Sequence, residues 1–268
     1  MQRNNQSVFI ANNLSDILYH LKSVNGLQIL GGCTDITEMK DKAVTVAPIK
    51  ELAEYEKKER YIDFGPAITL THMLDLGRSN IPVVLYDAIE TIATQPIRNQ
   101  ATLGGNICAQ NIRHTLFSPL LALDARLEFK NYNETRNIQF SNFKEVPVGF
   151  VLTNVRVPLH DWEVAIFKRV GPSSRITPLS AGFTFLVSTQ NNVIVNVKVS
   201  YAGIIVFNSQ EFENRMIGTR LPLSQKTIAE LIKTADSLYN KIENVQNSPL
   251  ILKTQFLNLL RYSLEQLT

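Results

Sequence analysis

Two pairs of adjacent glycines lie in similar surroundings in this chain. The first pair is in segment 29–36, ILGGCTDI, and the second is in segment 101–107, ATLGGNI. Because glycine lacks a Cβ atom, its backbone can adopt positive φ and turn consecutive N–H groups toward one anion. Thr34 and Thr102 would add hydroxyl donors. Two such nests would suit a pyrophosphate, and the alternative is that each pair forms only a tight turn.

Other chemical motifs are absent from the sequence. It contains no phosphate loop, no dinucleotide-binding Gly-x-Gly-x-x-Gly, no His-Glu-x-x-His and no Gly-x-Ser-x-Gly, which argues against NTPases, Rossmann dehydrogenases, zinc proteases and serine hydrolases. The four histidines lack ligand-like spacing, so no metal site is expected. Cys33 and Cys108 are too few and too far apart for a disulfide framework or an iron-sulfur cluster, and we expect both to be compact space-fillers.

Composition limits the class of protein further. The 268 residues are 44% hydrophobic and 19% charged, which is typical of a globular chain and excludes disorder and coiled coil. The net charge of +3 is scattered, so nucleic acid is not an expected partner. No apolar run approaches the roughly 20 residues of a membrane span, and the N-terminus is polar. We therefore expect a cytoplasmic protein without a membrane partner.

The N-terminal part alternates predicted helices and strands. A helix with apolar residues at positions 14, 17, 18 and 21 follows the capping residues Asn12 and Asn13 and ends near Gly26. Strands are predicted for the short apolar runs 28–30, 44–47 and 61–64, and helices for the periodic runs 69–76 and 83–94. Between 94 and 116 periodicity is absent, and polar segments of this length inside a domain are often functional. Periodicity returns over 119–123, 126–129 and 151–157.

The C-terminal part places strands before helices, which favours a smaller α+β unit. Strands are predicted over 164–170, 181–187 and 193–201, with a turn at 190–192. Amphipathic helices are predicted after the Ser224 cap, with Ile228 and Leu231 on the apolar face, and around Phe256 near the C-terminus.

Several segments resemble one family when they are compared in chain order. Segment 97–107, IRNQATLGGNI, and its continuation 120–125, LLALDA, closely resemble the FAD-binding subunit of the xanthine dehydrogenase and carbon monoxide dehydrogenase family of molybdenum hydroxylases. The first glycine segment is similar to the first FAD loop of that family. Segments 167–171, FKRVG, and 260–264, LRYSL, resemble the opening and the closing helix of its C-terminal domain.

The resemblance implies an α+β fold of two domains. The first is a two-lobed FAD-binding domain of the PCMH or vanillyl-alcohol-oxidase-like type over 1–160, with lobes of roughly 1–55 and 56–160 and FAD between them. The second, over 161–268, is a small domain of antiparallel sheet plus helices.

The resemblance also implies a set of cofactor-binding residues. Backbone amides of the first glycine segment would hold the FAD pyrophosphate, at Gly31, Gly32, Cys33, Thr34 and Asp35, with Leu30 and Ile36 lining the site. The second glycine segment would contribute Thr102, Gly104, Gly105, Asn106 and Ile107. Val151 and Leu152 would make apolar contacts, and Lys168 would be a nearby cation.

One position departs from the family pattern. Where the family usually carries Ala-Ser-Pro-x-x-Asp, segment 110–115 is QNIRHT, so the family Asp is replaced by Thr115. The resemblance implies that this Asp binds the ribityl or ring portion of FAD. Threonine can form a hydrogen bond but carries no charge, so the affinity for FAD and its redox tuning are expected to differ.

The function implied by the resemblance is electron transfer in an oxidoreductase complex. A molybdopterin-binding large subunit and an iron-sulfur small subunit would be the partners, and FAD would pass electrons to NAD or another acceptor. No general acid, general base or metal ligand is expected in this chain. The alternatives are a self-contained FAD oxidoreductase of the same cofactor-binding fold and a flavin-free assembly subunit.

Overall fold

The computed structural model describes residues 7–36, 38–109, 112–172 and 175–268, so residues 1–6 and the Gln110–Asn111 part of the polar segment lie outside the described residues. The strands are β1 (Ser7–Ile10), β2 (Gln28–Leu30), β3 (Lys42–Thr45), β4 (Tyr55–Lys57), β5 (Tyr61–Phe64), β6 (Arg126–Lys130), β7 (Thr135–Gln139), β8 (Val151–Pro158), β9 (Val164–Val170), β10 (Ala181–Gln190), β11 (Val193–Ala202) and β12 (Val206–Asn208). The α-helices are α1 (Leu14–Ser23), α2 (Leu70–Asp75), α3 (Val83–Glu90), α4 (Gln95–Arg98), α5 (Leu103–Ile107), α6 (Phe117–Ala122), α7 (Gln210–Met216), α8 (Gln225–Tyr239) and α9 (Leu250–Glu265).

The chain folds into two compact units. The first contains the described residues of 1–77, 94–108 and 124–159, and the second contains those of 78–93, 109–123 and 160–268. Two segments of the predicted first domain, 78–93 and 109–123, therefore make their contacts in the second unit. The predicted domain boundary at residue 160 stays a prediction.

The first unit contains two sheets. Parallel strands form the smaller sheet in the order β1-β3-β2, so β2 is an edge strand, and it leads directly into the first glycine segment. Helix α1 connects β1 to β2, and Asn13 caps it by accepting a hydrogen bond from the Asp16 N–H at 2.9 Å. Ile17 of α1 is buried in one core cluster with Val44 and Ile49. The larger sheet is antiparallel, in the order β4-β5-β8-β6-β7.

A charged pair joins two neighbouring strands of the larger sheet. Asp63 on β5 and Arg156 on β8 are register partners, and Arg156 Nε and Nη2 each donate to one carboxylate oxygen of Asp63 at 2.8 Å. Asn154 Nδ2 donates to the same carboxylate at 3.0 Å. Burial by itself would raise the pKa of Asp63, but these hydrogen bonds and the positive charges of Arg156 and Lys58 outweigh it and hold the pKa below its usual value.

The second unit is built on a four-stranded antiparallel sheet in the order β12-β11-β10-β9. Strands β10 and β11 form the predicted hairpin, and Asn191 and Asn192 at its tip have φ of 52° and 59°, as a two-residue turn of the type favoured in hairpins requires. The core lies between the sheet and the C-terminal helices, where the ring centroids of Tyr201 and Phe256 are 5.4 Å apart.

The structure confirms the strands predicted over 28–30, 61–64 and 164–170 with those bounds. Strands β1, β4, β7 and β12 and helix α7 were not predicted from the sequence. Strands β4 and β7 are edge strands whose residues are nearly all exposed, so no apolar run marks them. The polar segment between 94 and 116 is not irregular throughout, because it contains α4 and α5.

No helix among the described residues is both long enough and apolar enough to cross a membrane.

We predict that Asp63→Asn lowers the free energy of unfolding by about 1 kcal/mol at neutral pH, because asparagine cannot form the bidentate ion pair with Arg156. The pKa of Asp63 is lower in the folded than in the unfolded chain. Its contribution is therefore present above the unfolded pKa of about 3.9 and is lost as the pH falls through the folded pKa. Urea unfolding of both proteins across the acid range measures the difference, which should shrink below about pH 4.

The control for this prediction is Glu134→Gln, which removes an exposed pair with Arg136 in the same unit and should change stability very little. A destabilisation by Asp63→Asn that is the same at all pH values would contradict the prediction.

Candidate functional site

The first glycine segment follows strand β2, and several of its backbone N–H groups are not hydrogen-bonded to described residues. Leu30 at the end of β2 is buried, whereas the side chains from Cys33 to Ile36 are exposed. Among the described residues, the backbone N–H groups of Gly32, Cys33 and Thr34 donate no hydrogen bond. Three consecutive N–H groups at an exposed strand end can bind an anion. This part of the predicted site has the donors that a pyrophosphate needs.

The second glycine segment forms the short helix α5 instead of an open loop. Thr102 caps the helix, and its Oγ1 accepts from the Gly105 N–H at 3.1 Å. Gly104 N–H donates to the Pro66 carbonyl at 2.7 Å, and Asn106 N–H donates to the Thr102 carbonyl at 3.0 Å. These backbone donors are already used within the chain. The prediction of a second backbone nest is therefore wrong.

None of the four paired glycines has a positive φ, and three of them are needed for close approach. The glycines with positive φ are Gly26, Gly77, Gly149, Gly171 and Gly218, and the paired glycines are not among them. The residue with positive φ in the first segment is Cys33, at 55°. The expected conformational role of the paired glycines is therefore wrong.

Contacts between the two glycine segments explain why glycine is required. A Cβ atom on Gly32 would lie 1.7 Å from the carbonyl oxygen of Gln100, and one on Gly31 would lie 2.9 Å from Thr102 Oγ1. A Cβ atom on Gly104 would lie 2.8 Å from the Cβ of Pro66. The first unit therefore brings the two glycine segments together. The sequence carries no local signal for the parts played by Gln100 and Pro66, because both act through backbone contacts with distant segments.

The second glycine segment is held by the start of α2. The Leu70 N–H donates to the Ala101 carbonyl at 2.9 Å, and Thr71 Oγ1 donates to Asn99 Oδ1 at 2.7 Å. Thr69 and Thr102 form an isolated bridge between the two segments. These hydrogen bonds hold the residues just before α5 against the start of α2.

The remaining predicted site residues are divided between the two units. Ile107 on α5 and Val151 and Leu152 at the start of β8 are buried in the first unit. Thr115 and Lys168 belong to the second unit, where Thr115 is buried and Lys168 is exposed on β9. The assignment of all sixteen residues to one cofactor site stays a prediction.

The cysteines beside the glycine pairs differ in their surroundings. Both thiols are free, Cys33 is exposed and Cys108 is half-buried. Burial raises the pKa of the Cys108 thiol to about 12, so this thiol is protonated at neutral pH and is a poor nucleophile. Across the described ranges, no three side chains of His, Cys, Asp or Glu come together in a group that could hold a metal ion.

Comparison with known proteins identifies the family to which this chain belongs. A family model described as "FAD binding domain in molybdopterin dehydrogenase" matches residues 3–160. The chain belongs to this family, and the predictions of the family and of FAD as the cofactor are confirmed.

Two curated relatives are flavin subunits. The FAD-subunit of nicotinate dehydrogenase from Eubacterium barkeri is 26% identical over 135 residues, which are 47% of this chain and 45% of the relative. The FAD-binding subunit of xanthine dehydrogenase from Escherichia coli O157:H7 is 28% identical over 144 residues, which are 50% of this chain and 49% of the relative. The matched part of the chain thus spans less than half the length of each relative.

Solved structures confirm the predicted fold. A carbon monoxide dehydrogenase from Hydrogenophaga pseudoflava that lacks the Mo-pyranopterin moiety matches with a TM-score of 0.81 and 11% identity. The match covers 100% of this chain and 97% of the other chain. At this identity the similarity concerns the fold alone. The predicted α+β class, with a PCMH-type FAD domain and a sheet-rich domain, is confirmed.

We predict that Gly32→Ala lowers the free energy of unfolding by about 3 kcal/mol, because its Cβ atom would overlap a backbone carbonyl that cannot rotate away. Gly105→Ala is the matched control. Its Cβ atom would meet only Thr102 Oγ1, at 3.1 Å, so a change below about 0.5 kcal/mol is expected. Urea unfolding of the three proteins measures both effects, and equal stability of the two variants would show that the close approach at Gly32 does not exist in solution.

Proposed function

We propose that this chain is the FAD-binding electron-transfer subunit of a molybdenum hydroxylase complex. The observation that carries the proposal is the row of open N–H groups at Gly32, Cys33 and Thr34, in a chain that belongs to a family of FAD-binding domains. The names of the matched relatives, which are FAD subunits of dehydrogenases, support the same function.

In this proposal the residues of the chain bind and orient FAD. The open N–H groups donate to the pyrophosphate, and the exposed Thr34 hydroxyl adds a donor. Val151 and Leu152 provide apolar surface that excludes water, and Lys168 supplies a positive charge near the cofactor. Thr115 offers one uncharged hydrogen bond in place of the family carboxylate. The cofactor-binding domain extends over 1–160 and the C-terminal domain over 161–268, which the extent of the family match supports.

The proposed partners hold the other redox centres. A large subunit carries the molybdopterin cofactor and a small subunit carries the iron-sulfur clusters. Bound FAD would supply the chemistry that couples one-electron transfer from these clusters to two-electron transfer to NAD or another acceptor. The chain itself then needs no general acid or base, because its task is to place the cofactor and tune its surroundings.

We predict that the chain, tagged and purified from its source cells, carries FAD and brings down two further chains together with molybdenum and iron. Absorption spectroscopy and elemental analysis of the purified material measure these contents. FAD without the two metals and chains would support the self-contained oxidoreductase instead. Metals and partner chains without FAD would support the flavin-free assembly subunit, and neither FAD nor metals would reject the proposed function.

A second prediction tests the anion site directly. Cys33→Asp should weaken FAD binding at least about tenfold, because the carboxylate would repel the pyrophosphate. Cys33→Asn is the matched control, because both residues tolerate the left-handed backbone at this position and only the charge differs. Asparagine should change the affinity by less than about threefold. Titration of the purified chains with FAD, followed by flavin fluorescence, gives the affinities, and equal weakening by both variants would place the pyrophosphate elsewhere.

A further inference from the structure

The first turn of α2 holds the backbone on both sides of Gln100. The Leu70 N–H donates to the Ala101 carbonyl at 2.9 Å, and Thr71 Oγ1 donates to Asn99 Oδ1 at 2.7 Å. The first bond joins two backbone groups, whereas the second joins two side chains and depends on which residues stand there. Because an amide oxygen can only accept, the hydroxyl of Thr71 must be the donor of the second bond. Residues 99–101 are thus held at both ends by one helix.

The peptide group between these two bonds lies against Gly32. A Cβ atom on Gly32 would lie 2.5 Å from the carbonyl carbon of Gln100 and 3.1 Å from the backbone nitrogen of Ala101, in addition to its overlap with the Gln100 oxygen. The whole peptide group 100–101 is therefore in contact with Gly32. Gly32 carries the first of the three N–H groups that donate no hydrogen bond among the described residues. A shift of this peptide group would change the direction of those N–H groups, because close-packed atoms transmit displacement.

Helix α4 has little packing of its own with which to hold this peptide group. The helix spans four residues, none of which is buried, and Asn99 follows as its C-cap. A helix this short is not stable by itself, so its contacts with neighbouring segments determine where its end lies. The bond from Thr71 to Asn99 is a side-chain contact that ties the end of α4 to the first turn of α2.

We infer that Asn99 is a positioning residue for FAD binding, which acts with Thr71 to hold the peptide group 100–101 against Gly32 and so orients the row of N–H groups toward the pyrophosphate. All of these residues belong to the first unit. The inference rests on the proposed function, because the orientation of the row matters only if the row binds FAD. Neither Asn99 nor Thr71 contacts the cofactor in this role.

The test compares FAD affinity and thermal stability in a set of variants of the full chain. Asn99→Ala and Thr71→Val each remove the side-chain bond and should weaken FAD binding about fivefold. Thr71→Ser keeps the hydroxyl donor and should bind FAD within about twofold of the parent chain. Asn13→Ala removes the cap of α1 in the same unit, where Asn13 Oδ1 accepts from the Asp16 N–H. This control should lower the melting temperature and leave FAD affinity unchanged.

A double variant and a second ligand show where the bond acts. Asn99→Ala combined with Thr71→Val should weaken FAD binding by the same factor as either single variant, because both changes remove one bond. ADP, which contains the diphosphate of FAD, is measured as a competitor of FAD. Its affinity should fall by the same factor in each single variant, because the bond orients the groups that bind the diphosphate.

The outcomes separate this inference from the proposed function. A purely structural role would lower the melting temperature of Asn99→Ala and Thr71→Val without changing FAD affinity, and that result overturns the inference. Additive losses in the double variant also overturn it. The same holds if ADP affinity does not fall with FAD affinity, or if ADP does not compete with FAD. If the parent chain binds no FAD, the proposed function itself fails, together with this inference.

Discussion

The candidate site depends on the close approach of two backbones at Gly32. The carbonyl oxygen of Gln100 occupies the position that any side chain at residue 32 would need. The same contact zone includes Gly31 beside Thr102, so the end of strand β2 and the start of helix α5 lie against each other within one unit. Because backbone atoms cannot move aside as a flexible side chain can, glycine is the residue that permits this packing.

The two glycine segments look alike in sequence and yet offer different chemistry. In segment 101–107 the backbone donors are used by helix capping and by bonds to Pro66 and Ile68, so the segment is structural support. In segment 29–36 strand β2 lies at a sheet edge, and the N–H groups that follow it have no acceptor among the described residues. An anion can therefore bind to the first segment while the second holds it in place.

Buried polar contacts hold α6 against the sheet of the second unit. A buried hydroxyl stabilises a fold only when it is hydrogen-bonded. Ser118 Oγ on α6 lies 2.8 Å from Thr184 Oγ1 on β10 and 2.9 Å from Ser200 Oγ on β11, and Ser200 Oγ donates to the Ser118 carbonyl at 2.7 Å. Such a cluster permits only one placement of α6 on the sheet, whereas apolar residues of similar size would allow it to slide.

The sequence by itself determined the family, the cofactor, most of the regular elements and the two segments that meet at the candidate site. These features depend on local patterns: apolar periodicity marks α1, β5 and β9, and the run from 97 to 107 is specific to one family. Edge strands such as β4 and β7 escaped prediction because exposed residues carry no such pattern. Only the tertiary structure shows why the glycines are required and which backbone N–H groups are not hydrogen-bonded within the described residues. Those properties depend on contacts with Pro66, Gln100 and other residues distant in the chain, and no local pattern records them.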